Sequence, residues 1–137
     1  MLNVSHGREL ITPVDADPSG LLNIARLLAD HGLEIISLSG CFEGPGWVLR
    51  LITDDILRTE DLLRKQGFKP QTERVVLLKA PHKPGMLKKI ALRLAEDDVT
   101  LRRVHAAAVE NQPVCMIVMR TSNDDRALVC LREFIVE

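Results

Sequence analysis

Apolar residues along this chain follow two rhythms, one with the period of a strand and one with the period of a helix. Between Arg8 and Val14, Leu10, Ile11 and Val14 predict a strand that breaks at Asp15-Ala16-Asp17-Pro18. Leu21, Ile24, Ala25 and Leu28 then recur at helical spacing. Asp17 stands where a helix N-cap belongs, Pro18 suits the first turn, and Gly32 after His31 is a stop signal. Leu33 to Phe42 reads as a strand, Glu43-Gly44-Pro45-Gly46 as a tight turn, and Trp47 to Thr53 as the returning arm of a hairpin. Asp54-Asp55 opens a second helix carrying Ile56, Leu57, Leu62 and Leu63 and ending at Gly67, and Phe68 to Glu73 predicts a short fourth strand.

The same order begins again at Arg74. Val75 to Leu78 predicts a strand, Pro81 to Gly85 a turn, and Met86 to Glu96 a helix with Leu87, Ile90, Ala91 and Leu94 facing inward. Val99 to Val109 and Val114 to Met119 flank Glu110-Asn111-Gln112-Pro113 as a second hairpin. Asp124 to Glu133 predicts the last helix, and Phe134 to Val136 the start of a strand that runs out of chain. Its missing length could be supplied by the N-terminal arm Leu2-Asn3-Val4 or by a partner chain, or the edge could stay open.

The repetition extends to residue identity. Pro18 matches Pro84, Leu21 matches Leu87, Ile24 matches Ile90, Ala25 matches Ala91, Leu28 matches Leu94 and Ala29 matches Ala95, all at one spacing without a gap. The expected fold class is therefore α+β: two ferredoxin-like βαββαβ units, residues 1–73 and 74–137, packed side by side, with antiparallel sheets and helices on one face. Each half alone is small for a stable core, so packing the two together is the physical remedy, with function expected where they meet.

Charge and cysteine content narrow the function. Lys and Arg nearly balance Asp and Glu, leaving a formal net charge of -1, with no basic run beyond Lys88-Lys89 and Arg102-Arg103. That composition argues against a phosphate-backbone binder. Phe42 and Trp47 are the main aromatics the strands offer, too few for a sheet that stacks bases. Cys41, Cys115 and Cys130 are scattered and odd in number, which predicts reduced thiols and a cytoplasmic protein without a secretory segment. No apolar run reaches the length of a membrane span. His6, His31, His82 and His105 show no metal-ligand spacing with the cysteines, and no phosphate loop or nucleophile motif appears. Neither a cofactor, a metal nor an enzymatic activity is expected.

His82-Lys83-Pro84-Gly85-Met86-Leu87 and Asp17-Pro18-Ser19-Gly20-Leu21-Leu22, each between a predicted strand and an apolar helix, resemble the entrance motif Asp-x-Pro-Gly-x-Leu of the ACT domain, a ligand-binding regulatory module. His82 stands in the Asp position of the second copy and Ser19 in the Pro position of the first. Aligning the copies by Gly20 shifts the first by one residue from the gapless match, which pairs Ser19 with Gly85. The chain looks like a free-standing tandem ACT protein. The resemblance implies copies paired side by side, with ligands between one copy's first turn and the neighbour's second strand, and a homodimer.

A turn feeding a helix offers unpaired amide hydrogens and partial positive charge, which suit a carboxylate. Gly20 or Gly85 lets backbone approach a ligand. Asp17 could receive an ammonium group and reads equally as a plain helix cap. Leu21, Met86 and the facing strand could receive an apolar side chain. The candidate ligand-binding residues are Asp17, Ser19, Gly20, Leu21 and Leu22 in the first copy and His82, Gly85, Met86 and Leu87 in the second, though His82 is most simply an exposed turn residue. With Asp15 and Asp17 at one turn but His82 and Lys83 at the other, the two sites are expected to bind unequally. The implied function is non-catalytic regulation by a bound small molecule, foremost an amino acid. The alternative is an interaction subunit of an amino-acid biosynthetic enzyme whose ligand sites have been lost.

Overall fold

In the computed structural model, which describes residues 3–136, the chain runs β1 (Asn3–Pro13), α1 (Pro18–Asp30), β2 (Ile35–Glu43), β3 (Gly46–Thr53), α2 (Ile56–Lys65), β4 (Gln71–Pro81), α3 (Met86–Glu96), β5 (Leu101–Ala107), β6 (Val114–Thr121) and α4 (Asp124–Val136). The described chain forms two compact units: residues 8–73, and residues 74–136 together with 3–7.

In the 8–73 unit the strand order is β2-β3-β1, antiparallel throughout. Leu10 lies opposite Leu51, and Leu51 opposite Leu38. Opposed residues share a face, so this register puts the strand leucines on the side covered by α1 and α2. Leu10, Leu49 and Leu51 form a core there with Ile24 and Leu28 of α1 and Leu63 of α2. Gly32 and Gly67 take φ of 68° and 89° just beyond the two helices, the left-handed conformation that ends a helix at little cost to glycine.

In the other unit the order is β4-β6-β5, again antiparallel. Val76 faces Met119, Leu78 faces Ile117, and both pairs join Ile90 and Leu94 of α3 and Leu131 of α4 in the core. Val4, 5% exposed, belongs to this same core. The arm is held laterally by His6, whose Nε2 lies 3.2 Å from Asp125 Oδ1 and 3.2 Å from Arg74 Nη2. Residues 3–7 thus serve the second half of the chain; Leu2, also named as part of that arm, lies outside the described residues.

Three expectations need correction. Leu87 and Ala91 do not face inward: both are exposed, and α3 buries Met86, Ile90 and Leu94 instead. Phe68–Glu73 and Val75–Leu78 are not separate strands; Gln71–Pro81 is one continuous strand. Phe134–Val136 is not a strand, because α4 continues to Val136. Helical spacing already runs through Ala127, Leu128 and Leu131, all buried, and the chain reads on in that period.

The halves match in detail. Leu33 N donates to Leu28 O as Val99 N does to Leu94 O, and Asp55 caps the Arg58 amide as Asn123 caps that of Arg126. The bulge between Ile35 and Ser37 recurs between Leu101 and Arg103. In the helices the correspondence is the gapless one, Ile24 with Ile90 and Leu28 with Leu94, each pair buried.

Charge is buried on the sheet face opposite the leucines. Arg50 of β3 is directly across from Ile11, with its guanidinium gripped by three carboxylates. Nε and Nη2 donate to Glu43 at 2.8 Å each, while Nη1 donates to Glu9 at 3.2 Å and to Glu73 at 3.1 Å. The bond to Glu43 first, then those to Glu73 and Glu9, hold Arg50 protonated against the opposing effect of its burial. One cation thereby ties β1, β2, β3 and the start of β4. Arg50→Ala leaves Glu9, 2% exposed, without its cation. The expected loss is about 3–5 kcal/mol in urea denaturation, most of it recovered when Glu9→Leu is added.

Candidate ligand-binding site

β4 runs out at Pro81, and the chain bends into α3 within four residues. His82 N donates to Pro113 O at 2.9 Å, anchoring the bend to the β5–β6 hairpin, and Lys83 N donates to Pro81 O at 3.1 Å within the bend itself. Gly85 is the N-cap of α3 with φ 88°, and no side chain caps this helix. A Cβ on Gly85 would meet nothing within 4 Å, so the bend is open on that side. Its positive φ, not crowding, is what requires glycine here.

A cleft of about 230 Å³ lies against this bend. Pro81, His82 and Lys83 form one wall, Met86 and Leu87 of α3 another, and Ala106, Ala107, Ala108, Cys115 and Ile117 of the hairpin the third. The lining is mostly apolar, and its ionisable side chains are those of Lys83, His82 and Cys115, with no carboxylate among them. A helix N-terminus without a side-chain cap, a lysine beside it and an apolar floor can hold a small carboxylate with an aliphatic tail.

The bend before α1 is built differently. Asp17 Oδ1 accepts a hydrogen bond from Ser19 N at 2.9 Å, so its side chain caps the helix. Gly20 is buried, and a Cβ there would stand 2.8 Å from Asp15 O: the preceding loop folds back onto the first helical turn. Leu21 is half-buried against the core, and Leu22 is 53% exposed. Of the residues singled out from sequence, the structure brings His82, Met86 and Leu87 together on one cleft, with Gly85 at the helix entrance beside it. Asp17, Ser19, Gly20, Leu21 and Leu22 stay together on the other bend.

Sequence reasoning missed Pro81, the Ala106–Ala108 run, Cys115 and Ile117. A run of three alanines at the end of a strand otherwise rich in larger residues was the available signal, because small side chains leave room.

A second hollow of about 320 Å³ lies between α1 and the end of α2, lined by Asn23, Arg26, Leu27, Asp30, Gln66 and Phe68. It contains none of the expected residues. Among the described residues no His, Cys, Asp or Glu cluster could hold a metal ion, and no helix is long and apolar enough to cross a membrane.

No family model matches the chain, and no curated protein does. Solved structures do match. Protein BT0572 from Bacteroides thetaiotaomicron superposes with a TM-score of 0.86 at 23% identity, over 95% of this chain and 89% of that one. The ligand-free regulatory subunit of aspartate kinase from Thermus thermophilus gives 0.67 at 12% identity, over 96% and 95%. Aspartokinase III of Escherichia coli, in complex with aspartate and ADP, gives 0.60 at 15% identity, over 99% of this chain but 33% of that one. These likenesses are of fold. The chain has the α+β fold of ACT-type ferredoxin-like units, the fold of aspartate kinase regulatory subunits.

Two outcomes follow from the geometry. Asp17→Ala removes a helix cap and is expected to cost about 1 kcal/mol in denaturant titration. The thiols differ in access: Cys41 is exposed, Cys115 half-buried at the cleft, and Cys130 buried. Burial pushes the Cys130 thiol up, with Asp97 adding to the effect. A thiol-specific reagent is therefore expected to modify Cys41 first, Cys115 next and Cys130 last, as read by mass spectrometry of digested samples.

Proposed function

We propose that this chain is a non-catalytic regulatory protein of two ACT units that binds a small molecule, foremost an amino acid, in the cleft between the β4–α3 bend and the β5–β6 hairpin. The observation that carries this reading is the cleft itself: uncapped helix amides and Lys83 for a carboxylate, and an apolar floor of Met86, Ala106 and Ile117 for a side chain. The fold neighbours support regulation as the role, since one is a regulatory subunit of aspartate kinase.

Regulation then works by linkage. The ligand favours whichever arrangement of the protein closes the cleft best and shifts affinity for a partner, a biosynthetic enzyme, by that difference in binding. Homodimerisation, with edge strands meeting across a two-fold axis, is part of the proposal, as is a cytoplasmic setting with reduced thiols.

The test is a thermal-shift screen of the protein amino acids and the corresponding 2-oxo acids. A compound that binds only the folded protein at roughly a hundred times its Kd adds about 2.7 kcal/mol and raises Tm by several degrees. Lys83→Ala is expected to weaken the responding compound about tenfold, or about 1.4 kcal/mol. A flat response to every compound, together with co-purification of a biosynthetic enzyme, would favour the interaction-subunit alternative.

A further inference from the structure

The two halves place different side chains at the same point of the same frame. Val14 N donates to Trp47 O at 3.1 Å; the corresponding partners in the second half are Ala80 and Cys115, directly opposed in the β4–β6 ladder. Trp47 and Cys115 are therefore equivalent positions. Likewise Gly40, opposite Leu49, corresponds to Ala106, opposite Ile117.

In the first half the Trp47 indole lies over Gly40. A Cβ on Gly40 would stand 2.5 Å from both Cη2 and Cζ2 of that ring, and the indole also packs on the leucine core. In the second half Cys115 and Ala106 stand at these positions, and both line the cleft of about 230 Å³ that opens there. Counting along the strands, Ala108 stands where Phe42 stands in the first half. The cleft thus opens where the first half carries the Trp47 indole, while Phe42, at the position of Ala108, is 69% exposed.

We infer that the chain carries a single ligand site, in its second half, and that Trp47 is a built-in occupant of the equivalent first-half site. This rests on the ligand-binding reading above and deepens it. It also restricts the ligand class. The second-half lining pairs Lys83 with an aliphatic floor of Met86, Ala106 and Ile117 in a cleft of about 230 Å³, so the fitting compounds are monocarboxylates with a compact aliphatic side chain, such as the branched-chain amino acids. A dicarboxylate would leave its second carboxylate against alanines.

The test is calorimetric titration of L-valine, L-leucine, L-isoleucine and L-methionine into the full chain and into variants that transplant residues between halves. The wild type is expected to bind about one molecule per chain. Cys115→Trp and, separately, Ala108→Phe are expected to lower affinity at least about a hundredfold while the melting temperature of the free protein stays near that of the wild type. Trp47→Cys opens volume over Gly40 but is expected to leave the stoichiometry at about one, because Asp17 already caps α1 and stands at the position that Lys83 holds in the second half. Truncating a packed indole costs about 3–5 kcal/mol, so this variant is read beside its melting curve, and the two filling variants carry the test if it unfolds. Two equal sites in the wild type, or unchanged binding by both filling variants, overturns the single-site inference and leaves the ligand-binding reading standing. No heat from any of these four compounds overturns the aliphatic assignment, and no response in the wider screen overturns the ligand-binding reading as well.

Discussion

Strand register is the constraint on which the rest of the molecule depends. In both halves, directly opposed residues across the strands are apolar on one face, Leu10 with Leu51 and Val76 with Met119, and that face must be covered. Two helices cover it, and each helix has to be entered from the end of a strand by a short bend. Those bends fall at fixed points because the ladder fixes where the strand ends. The place of the cleft therefore follows from the fold, where the β4–α3 bend passes the end of the β5–β6 hairpin, and the side chains decide whether it is open.

Within that shared frame the side chains have diverged. Gly20 and Met86 occupy the same point of equivalent helices, one under a folded-back loop and the other at a cleft wall. Thr59 shares a 2.7 Å hydroxyl bond with Thr53, whereas its counterpart Ala127 is simply buried and Thr121 turns its hydroxyl to Asp124 at 2.6 Å. These three threonine hydroxyls are tolerated in the interior because each finds a partner. The exchange of Trp47 for Cys115 has a different consequence, because it alters empty volume, which is what a ligand can use. The Arg50 cluster has no like-charged equivalent at Val118, the corresponding position of β6, so it locks the first half alone.

Much of the architecture was legible in the sequence. The gapless match of Ile24, Leu28 and Ala29 to Ile90, Leu94 and Ala95 identified the repeat, and Asp17, Gly32 and Gly67 marked helix ends where the structure has them. The arm Leu2-Asn3-Val4 was one of three candidates for serving the second half, and local signals could not choose among them, because a long-range association leaves little trace in a short polar arm; Val4 in the second-half core decides it. Nor could local signals show that β4 is continuous: Phe68–Glu73 and Val75–Leu78 read as two strands because the polar stretch Gln71 to Arg74 interrupts the apolar pattern, whereas Gln71–Pro81 is one strand with Glu73 bonded to Arg50. At the site, the bend residues stood out through Pro and Gly. The hairpin wall did not, because a cleft made by small side chains is written as an absence of bulk. Only the matched register of the two halves, with Trp47 against Cys115, makes that absence visible.

The most direct measurement is a crystal structure of the protein grown with saturating L-leucine. The account predicts electron density for the amino acid against Met86, Ala106 and Cys115, its carboxylate toward Lys83 and the start of α3, with Trp47 still seated over Gly40. Density in the hollow beside Arg26 and Phe68 instead, or around Trp47 in the first half, would contradict it.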